Sequence, residues 1–243
     1  MTTPIPGEQP PVWVVGVLAD DEIVFRAALP HGVTPEDLAR SLGWEAARLT
    51  VVSGVAGDGS LALRYAVSPQ RPAPITSAHL PHDPDLVVGV HERPVAVQRV
   101  ATYALVTSTE GVLLTAYSDR TNAVGTWGFP GGGLDAGEAP IEALHREVAE
   151  ETDQQIVVTG VLGVRCSRWV GRAPGGRLED FQTIRVVYRA TCPDPSTPVV
   201  RDIGGTTADA RWVSAGDVGG MPLTTTWAAA WRDWGSVIGA APA

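Results

Sequence analysis

Lysine is absent from the chain, and all 18 basic residues are arginines. No lysine side chain can therefore form a Schiff base or bind phosphate through an ammonium group. The only two cysteines, Cys166 and Cys192, are too few for the disulfide framework of a small secreted protein. No apolar run reaches the length of a membrane-spanning helix. The net charge of −9 argues against a broad surface for nucleic acid or membrane.

The length and the first residues of the chain bound its organisation. A chain of 243 residues can form one large domain or two small ones, and an apolar content of 44% allows a sizeable core. Residues 1–6, Met-Thr-Thr-Pro-Ile-Pro, lack the basic and apolar regions of a secretion signal. We therefore expect a cytoplasmic protein whose partners include neither a nucleic-acid polymer nor a membrane.

A glycine-rich turn followed at once by an acidic helix is the most informative feature of the sequence. The turn is Gly131–Gly133. The helix is predicted from an apolar stripe with spacings of three and four residues, formed by Ile141, Leu144 and Val148. Pro140 precedes this stripe and suits the first turn of a helix, where its missing N–H costs little.

The predicted helix carries too many carboxylates near its end to be built for stability alone. Glu147, Glu150 and Glu151 share one face, where like charges repel by roughly 0.2–0.5 kcal/mol per pair. Each also faces the negative end of the helix dipole, at a cost of roughly 0.3–1 kcal/mol. No Lys or Arg follows within the last turn. A divalent cation bound by the three carboxylates would remove this conflict, and oxygen ligands suit Mg²⁺ or Mn²⁺.

This stretch resembles the signature of the Nudix hydrolase family. The signature reads Gly, five residues, Glu, seven residues, then Arg-Glu-apolar-x-Glu-Glu-x-Gly-apolar. In this chain, Gly132 is followed at those spacings by Glu138 and by residues 146–151, Arg-Glu-Val-Ala-Glu-Glu. Asp153 and Gln154 depart from the signature, since they replace the Gly and the last apolar residue. The Gly ends the helix in a left-handed cap, a conformation that Asp adopts less readily.

The resemblance implies an α/β (α+β) fold, a Nudix-type α/β/α sandwich with a mixed sheet. It implies hydrolysis of a nucleoside diphosphate linked to another group, with Mg²⁺ (or Mn²⁺) as cofactor. The implied metal ligands are the Gly132 carbonyl, Glu147, Glu150 and Glu151. The implied catalytic residues are Arg146, Glu147, Glu150 and Glu151. Glu147 is the first candidate for general base, with Arg146 orienting it and Glu138 pairing with Arg146 as structural support.

Three alternatives remain open at this point. The fold can serve as a ligand sensor that has lost turnover, or the stretch can be an exposed acidic helix after a loop. An isopentenyl-diphosphate isomerase shares the fold but needs a catalytic cysteine, and Cys166 and Cys192 lack a recognisable context. The substrate is a small nucleotide-type molecule, and nucleoside triphosphates, nucleotide sugars and dinucleotide polyphosphates all remain possible. A homodimer is also possible, because many members of the family are dimers.

One basic region follows the acidic helix. It contains Arg165, Arg168, Arg172, Arg177, Arg185 and Arg189. These arginines can bind phosphate oxygens or can lie on a solvated loop and strand face, and Arg165, Arg168 and Arg185 are the candidates for substrate binding. Farther along, Asp202 and Asp209 are the candidates for the additional carboxylate that many family members supply, with loop capping as the alternative.

The pattern of apolar runs predicts the rest of the organisation. We expect a disordered N-terminus over 1–11, a small ββαββ module over 12–68, a proline-rich linker over 69–94 and a Nudix hydrolase domain over 95–243. Ala56–Gly59 predicts a hairpin turn. Within the linker we expect a short strand at Leu86–Val90 and a surface loop bearing His79, His82 and His91. Later strands are predicted at Val95–Thr107, Val112–Tyr117, Ile156–Val164 and Phe181–Ala190, and a last helix at Leu223–Trp234.

Overall fold

The computed structural model describes residues 11–54, 60–75, 80–83, 85–173 and 175–236. Residues 1–10, the predicted Ala56–Gly59 turn and His79 lie outside the described residues. The chain divides into two compact units. The first unit comprises Met1–Val100 and Cys166–Ile184, and the second comprises Ala101–Arg165 and Arg185–Ala243. The domain limits drawn from the sequence stay a prediction.

The N-terminal part of the first unit has the predicted order of strand, strand, helix, strand, strand. Its elements are β1 (Val12–Val17), β2 (Ile23–Ala28), α1 (Pro35–Ser41), β3 (Trp44–Gly54) and β4 (Leu61–Pro69). They form a four-stranded sheet in the order β2-β1-β4-β3, in which β1 and β4 are parallel and the outer pairs are antiparallel. The Thr34 side chain caps α1 by accepting a hydrogen bond from the Asp37 amide, as its position before Pro35 indicates.

The remaining elements build a seven-stranded sheet and two helices. They are β5 (Val95–Ser108), β6 (Gly111–Tyr117), β7 (Trp127–Gly128), β8 (Gly131–Gly133), α2 (Pro140–Thr152), β9 (Val157–Arg172), β10 (Leu178–Thr191), β11 (Thr207–Val213), a 3₁₀ helix (Val218–Gly220) and α3 (Thr225–Trp234). The strand order is β11-β6-β5-β10-β9, with β7 paired to β6 and β8 paired to β5. The expected mixed-sheet α+β class is confirmed. None of the described helices is long and apolar enough to cross a membrane.

Three details of the sequence prediction were wrong. Leu86–Val90 forms no strand. β9 continues to Arg172, well past the predicted end at Val164. Ile141 is 43% exposed instead of facing the core, because it lies two residues from the fully buried Ala143 and therefore on the opposite side of the helix.

The core of the second unit is built around one tryptophan of the last helix. The Trp227 ring lies 4.7 Å from the Tyr103 ring and 5.0 Å from the Phe129 ring, measured between centroids. Trp231 and Trp234 pack against the same cluster. The three tryptophans of α3 therefore share one apolar face of the helix, as their spacing along the sequence indicates. This packing holds Phe129, two residues before the glycine-rich turn.

Candidate active site

The glycine-rich turn is strand β8, which pairs with β5 and contacts side chains from the C-terminal half of helix α2. Gly131 opposes Tyr103 and Gly132 opposes Thr102 in the ladder. Gly131 has φ +137°, and a Cβ there would lie 2.1 Å from the Thr102 carbonyl oxygen. A Cβ on Gly132 would lie 2.4 Å from the Glu147 carboxylate. Gly131 therefore has to be glycine, because the strand backbone leaves no room for a side chain, whereas a side chain at Gly132 would displace the Glu147 carboxylate.

Arg146 pairs with two carboxylates of α2 and with Glu138, which precedes the helix. Its guanidinium donates to Glu138 Oε1 at 2.9 Å, to Glu147 Oε1 at 2.8 Å and to Glu150 Oε2 at 3.3 Å. It also donates to the Gly133 carbonyl at 3.1 Å. The hydrogen bond from Arg146 holds the pKa of Glu138 below its ordinary value. The predicted Arg146–Glu138 pair is present. Arg146 also supplies, from within the helix, a positive charge beside Glu147 and Glu150.

Glu151 is the most deeply buried carboxylate on this helix, with 7% of its surface exposed. One oxygen accepts a hydrogen bond from the Gly131 amide at 2.9 Å, and the other accepts one from the Thr207 hydroxyl. Burial raises the pKa of Glu151 to about 7, and these two hydrogen bonds oppose that rise. The charges of Glu147 and Asp202 raise it further, so both carboxylates act on Glu151 through space.

Glu147 and Glu150 lie at shallower depths than Glu151. The Glu147 side chain is 18% exposed, and burial raises its pKa while Arg146 lowers it. The Glu150 side chain is 47% exposed. The three glutamates therefore differ in depth, from the buried Glu151 to the exposed Glu150. Within the ranges that the structure describes, no three His, Cys, Asp or Glu side chains are gathered closely enough to hold a metal ion.

The raised pKa of Glu151 predicts a pH-dependent stability for the metal-free protein. Folding favours the protonated acid, so Glu151 has no effect on the free energy of unfolding below its ordinary pKa of 4.5. The free energy falls as the pH rises through about 7 and then stays low. The total loss is on the order of 3 kcal/mol, since one pKa unit corresponds to about 1.4 kcal/mol.

Urea denaturation in EDTA, from about pH 5 to about pH 8, measures this loss against the variant Glu151→Gln. Glutamine can still accept from the Gly131 amide and can donate to the Thr207 oxygen, so it keeps both contacts without the titration. We expect the wild type to lose stability relative to the variant as the pH rises. A difference between the two proteins that stays constant with pH would contradict the assignment.

The loop before β11 is bound to the carboxyl end of α2. The amides of Arg201 and Asp202 both donate to the Glu150 carbonyl, at 2.8 and 3.1 Å. Arg201 also donates to the Asp153 carboxylate at 2.6 Å. Asp153 has φ 56° and ψ 27°, so the left-handed cap expected where the family has Gly is confirmed. The loop therefore holds Asp202 near the end of the helix.

Gln154, the second departure from the signature, is buried with its polar groups paired. Its amide nitrogen donates to Ser196 Oγ at 2.9 Å, and its oxygen accepts from the Ser196 amide at 3.0 Å. A polar residue can replace the apolar one because local partners satisfy its hydrogen bonds. Sequence reasoning missed this role, since Ser196 lies in a separate loop.

The three candidate arginines have different surroundings. Arg165 pairs with Asp233 and stacks on Trp234, with 4.1 Å between the guanidinium carbon and the ring centroid. Arg168 belongs to the first unit, where it binds Asp180 at 2.8 Å. Arg185 hydrogen-bonds to Tyr103, a buried side chain that also feels the charge of Glu151.

The aspartates and histidines of interest also differ in position. Asp202 acts on Glu151 through its charge, whereas Asp209 pairs with Arg211 on its own strand. His82 pairs through its backbone with Val170, as an isolated bridge. The part of the linker that the structure describes contains no metal-binding group of side chains.

A protein-family model of the NUDIX domain matches residues 97–234. The chain is 56% identical over 34 residues to an RNA pyrophosphohydrolase of Helicobacter pylori (strain G27), covering 14% of this chain and 22% of that protein. It is 27% identical over 103 residues to the nucleoside triphosphatase NudI of Klebsiella pneumoniae (strain 342), covering 42% of this chain and 70% of that protein. Among solved structures, a MutT protein from Methanosarcina mazei Go1 aligns with a TM-score of 0.46 and 19% identity, covering 63% of this chain and 100% of that one.

Proposed function

The chain belongs to the Nudix family, since the NUDIX domain matches more than half of it, and we propose that it is a metal-dependent pyrophosphohydrolase of nucleotide-type substrates. One observation carries the proposal. Glu147 lies against Gly132 while Glu151 accepts a hydrogen bond from Gly131, so two carboxylates of low exposure meet the same glycine turn. Because burying carboxylates beside each other destabilises a helix, this arrangement favours a functional role.

The donor chemistry at this turn fits a hard divalent cation. Glu147, Glu150 and Glu151 are oxygen ligands, and the mutual repulsion of their charges is only partly relieved by Arg146. We propose that these carboxylates and the Gly132 carbonyl hold Mg²⁺ or Mn²⁺, with Asp202 as a further candidate. The exposed Glu150 carboxylate can leave Arg146 by rotation of its side chain alone. When bound, the cation would neutralise phosphate charge and lower the pKa of a coordinated water.

Side chains of the protein accept the proton from the attacking water and orient the group that accepts it. We assign Glu147 as the general base, which takes a proton from the attacking water at a carboxylate oxygen. Burial raises the pKa of Glu147 in the metal-free protein, a direction that favours proton acceptance by this carboxylate. Arg146 holds one Glu147 oxygen, and Glu138 in turn holds Arg146 through two hydrogen bonds, at 2.9 Å each. Glu138 and Arg146 therefore fix the orientation of the base.

The substrate class is the finer part of the proposal. One relative is named a nucleoside triphosphatase and another an RNA pyrophosphohydrolase, which favours a nucleotide with a terminal pyrophosphate. Of the candidate arginines in the second unit, Arg185 is the one whose charge acts on Tyr103, a side chain that the charge of Glu151 also reaches. We therefore propose that Arg185 binds a phosphate oxygen of this substrate. Arg165 is the weaker candidate because Asp233 already neutralises it.

Phosphate release from a panel of substrates tests the proposed function. The panel contains nucleoside triphosphates, ADP-ribose, nucleotide sugars, dinucleotide polyphosphates and 5′-triphosphorylated RNA, each with Mg²⁺, Mn²⁺ or EDTA. We expect metal-dependent cleavage of at least one class, with nucleoside triphosphates cleaved fastest. If a folded, metal-binding protein binds nucleotides but cleaves none of them, the protein is a sensor and the proposal fails.

A further inference from the structure

Thr207 makes a side-chain contact to the candidate site that no part of the signature predicts. Its hydroxyl donates to Glu151 Oε1, across 56 residues of chain. Both side chains are buried, at 7% exposure each. The Gly131 amide occupies the other oxygen of the same carboxylate. Each Glu151 carboxylate oxygen thus accepts a hydrogen bond from a different strand, one from β8 and one from β11.

The ladder of β11 with β6 is irregular next to Thr207. Thr207 opposes Tyr117 and Asp209 opposes Ala116 in the antiparallel ladder with β6, so the register shifts between them. Such a bulge adds one residue to a strand and changes the side to which its neighbours point. Bulges of this kind are common next to active sites, where they aim one side chain.

Backbone contacts on the N-terminal side of Thr207 hold it in place. The Ser118 amide donates to the Thr206 carbonyl at 2.8 Å, and the Ser118 hydroxyl donates to the Gly205 carbonyl at 2.8 Å. The loop farther back is bound to the Glu150 carbonyl through Arg201 and Asp202. The loop before β11 is therefore bonded at one end to the Glu150 carbonyl, and at its other end Thr207 is bonded to Glu151. A threonine anchored in this way can impose its own position on the carboxylate.

We propose that Thr207 is a positioning residue that presents the Glu151 carboxylate to the divalent cation, an inference that rests on the proposed function. Each carboxylate oxygen has a second lone pair beyond the one used by Thr207 or Gly131. Holding the carboxylate in one orientation aims those lone pairs at a fixed place. The effect on metal binding resembles that of other residues that orient metal ligands, whose loss weakens binding by roughly 10- to 100-fold.

Manganese binding to the metal-free protein, followed by electron paramagnetic resonance, tests the inference apart from turnover. Thr207→Val removes the hydroxyl and keeps the shape, whereas Thr207→Ser keeps the hydroxyl. We expect Thr207→Val to raise the Mn²⁺ dissociation constant by at least about 10-fold and Thr207→Ser to stay near wild type. Thr102→Val is the matched control, because Thr102 is a buried threonine of the same unit whose hydroxyl has no hydrogen-bond partner among the described residues.

The possible outcomes are distinct. If Thr207→Val melts at a lower temperature but binds Mn²⁺ like the wild type, Thr207 is only structural and the inference is wrong. If Thr207→Val does not fold, Thr207→Ala replaces it in the same comparison. A double-mutant cycle adds a second test, since Thr207→Val should not weaken Mn²⁺ binding further in a Glu151→Gln background. If the wild type binds no Mn²⁺ at all, the proposed function fails, and the inference fails with it.

Discussion

Replacing Glu147 by Gln should lower kcat at least about 10²-fold while the protein stays folded. The variant loses the carboxylate that we assign as general base and one of the proposed metal ligands. Its amide oxygen can still accept the hydrogen bond from Arg146, which now spans 2.8 Å to Glu147 Oε1. Removing one of several like charges on the helix should keep the melting temperature the same or raise it. The measurement is steady-state turnover of the best substrate from the panel, with thermal melting of both proteins.

Glu142→Gln is the matched control for this prediction. Glu142 lies on the same helix and is exposed, and its carboxylate accepts a hydrogen bond from the Ala139 amide at 3.0 Å. Glutamine fills this capping position as well as glutamate does, so the control changes charge without changing the helix start. We expect its kcat to match the wild type. If Glu147→Gln turned over substrate as fast as the control, Glu147 would be neither base nor ligand.

The sequence predicts local features of the turn and helix better than contacts between the helix and other parts of the chain. The Glu138–Arg146 pair is implied by the family signature, which contains both residues within one short turn-and-helix segment. The left-handed Asp153 follows in the same way, from its place after the last helical residue. The graded burial of Glu147, Glu150 and Glu151 does not follow, since it depends on which strands cover the helix. The periodicity of a helix shows which of its residues share a face, but it does not show how deeply each of them is buried.

Tertiary pairing explains why Thr207 was missed. Threonine at the start of a strand is common, and its hydroxyl becomes informative only when the register of β11 against β6 is known. The arginines show that the sequence can also suggest binding residues whose charges are paired within the protein. Their clustering makes Arg165 and Arg168 candidates for substrate binding, with a solvated face as the alternative, and the structure pairs them with Asp233 and Asp180. Composition alone cannot show which acidic residue a basic one will meet.

Three consecutive glycines should respond to alanine in three different ways. At Gly131 a Cβ would meet backbone, the Thr102 carbonyl oxygen at 2.1 Å, and φ is +137°. Backbone cannot move aside cheaply, so Gly131→Ala should lower the free energy of unfolding by roughly 2–5 kcal/mol. At Gly133 no atom lies within 4 Å of the added Cβ, so Gly133→Ala should be nearly neutral.

The substitution at Gly132 should affect catalysis much more than folding. Its added Cβ would lie 2.4 Å from the Glu147 carboxylate, which is the far end of a flexible side chain that can move aside. Gly132→Ala should therefore fold with nearly normal stability. Its kcat should fall roughly 10- to 100-fold, because the added methyl group displaces the Glu147 carboxylate and small displacements of a catalytic group lower the rate steeply. Melting temperature and turnover of all three variants distinguish these effects. If Gly132→Ala and Gly133→Ala had equal kcat values, the position of Glu147 beside the turn would not matter for catalysis, and the assignment of Glu147 as base would be wrong.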